Sequence, residues 1–329
     1  MRTFFRALLA ALAVFTLAPI FVSPSFADVA AGDVLVADLG TCRNEQDCVA
    51  GTGSIRHYSA SGTVEVFASG LSAPWAITAD QLGNIYVSER DGQRVTKFSP
   101  SGLNLLTITT GFIPGGVRVG TDGMIYVVDS SGGKINRYSA VGILDPLFAP
   151  TTALVSADFM TFDAQGNLYV TGTDSVNVNN EVVRRFSPTG ANLGDFVAGF
   201  SAPAGIAFDA QGNLYVASSA SNIVEQYSPS GTDLGTFAFG DPGDDSFRGI
   251  AFDASGNLYV ASSARRSILR FPPAGGAAPE SFVSGLSFPW VIVPMPANPT
   301  VKPECKEDGW QTFDFKNQGD CVQFVNTGK

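Results

Sequence analysis

His57 is the single histidine among 329 residues, and this narrows the available chemistry before any fold is considered. Mechanisms that rest on an imidazole need one at the centre of the site. The local sequence GSIRHYSASG (53–62) puts His57 on an extended stretch leading into a turn, so it reads as a surface residue. The serine pairs Ser218-Ser219 and Ser262-Ser263 have no base beside them and read as polar loop starts. Asp163, Asp209 and Asp253 recur in one context, but each opens a tight turn, where an aspartate accepts backbone N–H groups. TDSVNVNNE (173–181) and DPGDDS (241–246) carry the oxygen ligands that calcium takes, without the spacing of an EF-hand loop. Ordinary turns are expected there and no cofactor, with calcium as the alternative.

Trp75, Trp290, Arg248 and Asp158 are the stronger candidates for ligand contact. The tryptophans occur in matching contexts, GLSAPWAITA (70–79) and GLSFPWVIVP (285–294). Arg248 in FRGIAFD and Asp158 in ADFMTFD occupy the same position of the same pattern. Two indoles beside a guanidinium can hold a sugar, an aromatic ring or a carboxylate, unless the rings serve only to pack the core. Whether the four converge depends on the elements that carry them.

Those elements repeat. FDAQGNLYV occurs at 162–170 and 208–216, and FDASGNLYV at 252–260. The core Gly-x-(Ile/Leu)-Tyr-Val begins at Gly83, Gly123, Gly166, Gly212 and Gly256, at intervals of 40 to 46 residues, and GDVLVAD at Gly32 is a degenerate copy. A second signature, as in KFSPSG (97–102) and QYSPSG (226–231), follows each core. Period-2 alternation broken by turn residues every 8–12 positions indicates an all-β chain. Each unit reads as four strands, A to D, with the nine-residue repeat forming the A–B hairpin. A four-stranded sheet at this period is a propeller blade. The first unit lacks strand A, and GLSFPWVIVP at the far end supplies it. The expectation is a six-bladed β-propeller over residues 28–294, closed three-plus-one in blade one.

On that architecture the residue just past the proline of strand A rings the channel mouth. From blade one to six these are Trp290, Trp75, Gly115, Asp158, Ala204 and Arg248. The B–C loops add Asp38, Glu89, Arg90, Asp129, Lys134, Asp174, Asn222, Arg265 and Arg266, most of them expected to be solvated, with Arg265-Arg266 able to meet an anion.

PAGIAFDAQGNLYVASSASNIVEQYSPSG (203–231) resembles the NHL repeat, and the resemblance runs over about 33–294, with GGVRVGTDGMIYVVD of blade three departing from it. It implies a propeller and leaves the activity open, since similar propellers host binding modules, lactonases, lyases and dehydrogenases. Propeller lactonases hold a divalent ion on acids and asparagines in the channel, and here the strand A positions supply Asp158 alone.

The ends differ in character. Residues 1–27 read as an export leader, with Arg2 and Arg6, an apolar run and the Ser25-Phe26-Ala27 cleavage pattern. Residues 295–304 read as a proline-rich linker. Residues 305–329, CKEDGWQTFDFKNQGDCVQFVNTGK, resemble a short tail that ends many exported bacterial proteins. Four cysteines in an exported chain suggest two local disulfides, Cys42–Cys48 and Cys305–Cys321. The net charge of −10 disfavours nucleic acid as a partner.

These readings converge on a secreted or periplasmic monomer with no membrane span. It binds a protein, glycan or small molecule at the channel rim, and no catalysis is expected. The alternatives are a divalent-metal hydrolase or lyase working in the channel, and a structural cell-envelope protein anchored by the tail. Intact-mass measurement of the exported protein is expected to give a chain beginning at Asp28 with all four cysteines oxidised. Retention of Met1, or free thiols, would contradict the export reading.

Overall fold

The nine-residue repeat folds as a hairpin whose turn is built by its aspartate. Asp209 Oδ1 accepts the N–H groups of Gln211 (2.9 Å) and Asn213 (2.8 Å), while Oδ2 accepts Asn213 Nδ2 (2.8 Å) and the Tyr215 hydroxyl (3.1 Å). Gly212 takes φ 82°, a conformation costly for residues with a Cβ. Asp163 and Asp80 repeat all four contacts within their own turns. These carboxylates therefore shape turns, as the sequence suggests. Beyond the turn, Ile206 pairs with Val216 and Phe208 with Leu214.

The computed structural model describes residues 32–295 apart from 45–46, 60–62, 149, 151, 156, 241–245 and 277–278. The leader, the tail with Cys305 and Cys321, the linker past Met295 and most of DPGDDS lie outside the described residues. Blade five is typical: Pro203–Phe208, Leu214–Ser218, Ile223–Tyr227 and Asp233–Phe239 pair in chain order from the axis outward. Blade one runs Pro289–Pro294, Val34–Asp38, Gly53–Tyr58, Val64–Leu71, with Val34 opposite Pro294 and Val36 opposite Ile292. The last strand thus fastens the ring beside the first. Each inner strand contacts the next, from blade one round to blade six and back. The protein is an all-β six-bladed β-propeller.

Three features depart from the regular scheme. Among the described residues blade three has three strands, Pro114–Val119, Ile125–Asp129 and Lys134–Tyr138, and an isolated Tyr138–Leu144 bridge where strand D should be. Pro146 and Pro150 lack the N–H a ladder needs, and the loop instead offers the Pro150 carbonyl to Ile135 N and Asp145 N to the Arg137 carbonyl. The inner strand of blade four is broken into Leu154–Val155 and Met160–Phe162, both paired to Leu168–Asp174. A small hairpin, Cys42–Asn44 with Asp47–Cys48, sits in the B–C loop of blade one and carries the Cys42–Cys48 disulfide.

His57 corrects the sequence reading. It is buried on strand C of blade one, with Nε2 2.7 Å from Asp33 Oδ2. Its side chain is in the interior because Asp33, just before the first strand, gives the imidazole a polar partner.

Neighbouring blades are joined by aromatic contacts that the repeat encodes. The Tyr215 ring of blade five lies 4.7 Å from Phe252 on the inner strand of blade six and 4.9 Å from Phe237 of its own strand D, both edge-on. Tyr169 makes the same pair with Phe208 and Phe196, and Tyr126 with Phe162 and Phe148. At the axis, adjacent inner strands pass so closely that a Cβ on Gly249 would stand 2.7 Å from Val291 Cα, and one on Gly205 2.4 Å from the Arg248 carbonyl oxygen. Tyr215→Ala should therefore destabilise the protein by about 3–5 kcal/mol. Tyr215→Phe, which keeps the ring and loses only the hydroxyl contacts, should lose about 1 kcal/mol. Urea unfolding of the two variants measures the difference, and equal losses would show that the interblade ring contacts do not carry the stability assigned to them.

Candidate functional site

Six equivalent backbone hydrogen bonds build the channel mouth. In each blade an N–H just past strand B donates to a carbonyl of the loop that precedes strand A. The pairs are Leu39–Phe288, Arg90–Ala73, Ser130–Ile113, Ser175–Ala153, Ser219–Ala202 and Ser263–Ser246, at 3.0–3.2 Å. Side chains at the end of strand B reinforce them. Asp38 accepts the N–H groups of Ser287 (2.9 Å) and Phe288 (2.8 Å), and Glu89 accepts Ser72 N (2.9 Å) while pairing with Arg94 (2.6 Å). Asp129 caps its own turn through Ser131 N and Gly132 N. These acids, expected on the rim as solvated candidates, are buried and already engaged, by backbone N–H groups and, for Glu89, by the side chains of Arg94 and Thr96 as well. Lys134 is exposed at the start of its strand, and Arg265, Arg266 and Asn222 stand outside the central cavity.

That cavity has a volume of about 280 Å³. Trp75, Trp290, Asp158 and Arg248 all line it, as does Ala204, so every strand A position derived from the repeat except Gly115 reaches one space. Gly115 is excluded by its neighbours, since a Cβ there would stand 2.4 Å from Ser130 Oγ. The inner-strand alignment brings the four candidates together across the ring.

The aromatic rings form the floor. Trp75 and Trp290 lie 4.2 Å apart between centroids, tilted by 42°, and Trp290 also stacks at 6.4 Å on Phe159 from blade four and at 6.0 Å on Phe288. The two indoles are only 4% and 2% exposed, and neither indole N–H has an acceptor among the described residues. Above them, the guanidinium carbon of Arg90 sits 4.5 Å from the Trp75 centroid and that of Arg248 4.6 Å from Trp290. Cation–π attraction of this kind strengthens as water is excluded. A ligand in the cup therefore meets the arginines first and reaches the rings by displacing them.

Blade four supplies the acids. Asp158 Oδ1 lies 3.3 Å from Ser130 Oγ, and the Glu181 carboxylate accepts the Ala202 N–H. This donor set does not suit a divalent ion: the two acids share the cup with two guanidiniums. Among the described residues no three His, Cys, Asp or Glu side chains gather. Asp174 in the oxygen-rich loop is likewise engaged, by Arg184 at 2.6 Å and by Val176 N and Asn177 N. Sequence reasoning did not single out Glu181, Phe159 or the stacked pose of Arg90. The signal for Phe159 was present, because Ala157-Asp158-Phe159 replaces the Pro-Ala-Gly of blade five.

No protein-family model matches the chain, and no curated protein sequence matches it. Solved structures are similar in fold. A chain of a nidogen/laminin complex is 16% identical, with a TM-score of 0.65, covering 81% of this chain and all of that one. A gluconolactonase from Xanthomonas campestris is 18% identical, TM-score 0.54, over 68% of this chain and 87% of its own. A virginiamycin B lyase from Staphylococcus aureus is 16% identical, TM-score 0.54, over 71% and 78%. At these identities the likeness establishes the propeller and nothing finer. The Cys42–Cys48 disulfide is compatible with an extracellular protein. Among the described residues no helix is long and apolar enough to cross a membrane.

Arg184 ties the blade-four rim together. It is buried, pairs with Asp174 and with Asp195 (2.7 Å), and donates to the carbonyls of Thr152 and Ala153. The bond from Arg184, helped by the N–H groups of Asn177 and Val176, pulls the Asp174 carboxyl down to about 2, against about 3.9 in an unfolded chain. A depressed acid stabilises the fold fully above its unfolded value and loses that contribution as pH falls towards the folded value. Asp174→Asn should therefore flatten the fall of the thermal midpoint between pH 4 and pH 2. Parallel midpoint curves for the two proteins would refute the assignment.

Proposed function

We propose that this chain is an exported, NHL-like binding module that holds a ligand in the cup at the channel mouth. The single observation behind the reading is the convergence of Arg90, Arg248, Asp158 and Glu181 above a closed aromatic floor. Charged side chains of both signs over an aromatic base offer a ligand hydrogen-bonding groups beside apolar surface, the usual make-up of a small-molecule site. The export leader read at 1–27, the disulfide in the B–C loop and the tail resemblance support a secreted or periplasmic setting. The nidogen/laminin neighbour shows that this architecture serves binding in another protein, while the cup's volume favours a small molecule over a protein loop or a long glycan.

Catalysis is the second reading, since a lactonase and a lyase share the architecture. His57 offers it nothing, being buried against Asp33 and absent from the cup lining. Native mass spectrometry of the protein purified from its producing cells tests the binding reading. A retained small molecule is expected, lost in the Arg90→Ala/Arg248→Ala double variant without loss of the fold. A protein that carries no retained mass and gains no thermal stability from any member of a broad metabolite set would overturn it.

A further inference from the structure

Blades four and five pair their outer strands in the same register, and one position separates them chemically. In blade four Arg184 lies opposite Asp195 and Phe186 opposite Asn192; in blade five Glu225 lies opposite Thr236 and Tyr227 opposite Asp233. Glu225 therefore stands where blade four carries a guanidinium. That guanidinium is held by Asp174, Asp195 and the carbonyls of Thr152 and Ala153. In blade five the matching cation is absent from the sequence, and beside Glu225 lies a cleft of about 450 Å³ against strand D of blade four. Glu225, Asp233 and Tyr227 line it, with Phe196 and Phe200 as its apolar wall, and it shares no residue with the cup.

Three oxygen-bearing groups in the cleft lack a full set of partners. Among the described residues the Glu225 side chain meets only the Thr236 hydroxyl (2.9 Å) and that of Asp233 only the Gly235 N–H (2.8 Å), so neither carboxylate has a cation in contact with it. Tyr227 is only 8% exposed, yet among the described residues its hydroxyl has no hydrogen-bond partner. The fold does not require that hydroxyl, because Phe98, Phe186 and Phe271 take the same place in blades two, four and six. Burial pushes the Tyr227 hydroxyl up to about 12, with the charges of Asp233 and Glu225 adding to it, so it stays neutral and both carboxylates act on it. An anion would be repelled here, and a neutral ligand would leave two carboxylates without a counter-charge. A cation rich in N–H donors suits all three groups. A guanidinium presents five such donors in one plane, and it is the group that blade four places at the matching position. The cleft's volume falls within the range of small-molecule pockets, roughly 300–1,000 Å³. We propose that this interblade cleft binds a small free alkylguanidinium, its head on Glu225, Asp233 and the Tyr227 hydroxyl and its apolar stem against Phe196 and Phe200.

Isothermal titration calorimetry on the full mature chain tests this with butylguanidinium and with butylurea, which has nearly the same shape and no charge. Butylguanidinium is expected to bind at least tenfold more tightly. Glu225→Gln should remove that preference. Tyr227→Phe installs the residue that blades two, four and six already carry, so the fold is kept, and it should weaken butylguanidinium at least threefold. Equal binding of the two probes, binding of neither, or a butylguanidinium affinity unchanged in either variant would overturn the assignment. A blocked peptide, acetyl-Gly-Arg-Gly-amide, is expected to bind more weakly than butylguanidinium; tighter binding of the peptide would overturn the small-molecule source in favour of an arginine side chain on a partner protein. None of these results bears on the cup, which has its own test.

Discussion

A propeller blade has two apolar faces and no neighbour in sequence long enough to cover them, so everything depends on how one blade grips the next. Here the grip is a tyrosine. Tyr215 projects from the second strand of blade five, meets Phe252 of blade six edge-on, and is backed by Phe237 of its own outer strand. Burying a phenol in this way would strand its hydroxyl, and the turn aspartate prevents it: Asp209 accepts that hydroxyl with the oxygen that also accepts Asn213 Nδ2, while its other oxygen shapes the turn. Burial raises the Tyr215 pKa, with the nearby Asp209 charge adding to it, so the group stays a neutral donor at any physiological pH. One side chain thus links the local turn to the interblade packing. That is why Phe, Asp, Gly, Asn and Tyr recur together and cannot drift independently.

The same constraint sets the width of the channel. With blades clasped at this spacing, inner strands run almost in contact, and Gly116, Gly205 and Gly249 stand where a Cβ would collide with the next backbone. Blade four has Phe159 in place of such a glycine, and its inner strand is broken around that point. The ring reaches across to stack on Trp290. Phe159 thus brings an aromatic ring to the centre from the blade that also carries Asp158 and Glu181, the acids of the cup.

This explains which parts of the molecule were legible in the sequence. Whatever the repeat encodes could be aligned, and alignment alone placed Trp75, Trp290, Asp158 and Arg248 on equivalent positions, all of which meet in one cavity. The closing strand could be recognised because GLSFPWVIVP matches GLSAPWAITA. What the repeat does not encode could not be read. Asp38, Glu89 and Asp129 looked like solvated loop acids, yet the six rim hydrogen bonds leave N–H groups beside them that need acceptors, so they turn inward. His57 looked exposed because its partner, Asp33, lies 24 positions away in sequence and beside it only across a strand pair. That the described residues of blade three show a bridge in place of a fourth strand depended on where Pro146 and Pro150 fall relative to a ladder, which composition does not specify.

Ring closure and cup assembly are one event in this chain. Pro289–Pro294 is both the strand that fastens blade one and the carrier of Trp290, and the loop before it is held by Asp38 of the opening strand. Until that strand docks, Trp75 lacks its stacking partner and Arg248 lacks the ring it covers. A ligand in contact with Arg248 or Trp290 therefore binds the closed ring and not the open one. By mass action it stabilises closure by an amount that grows with its concentration relative to its dissociation constant. On the binding reading proposed above, occupancy of the cup and persistence of the latch are two readings of the same equilibrium, so a ligand for the cup would show itself as a gain in stability.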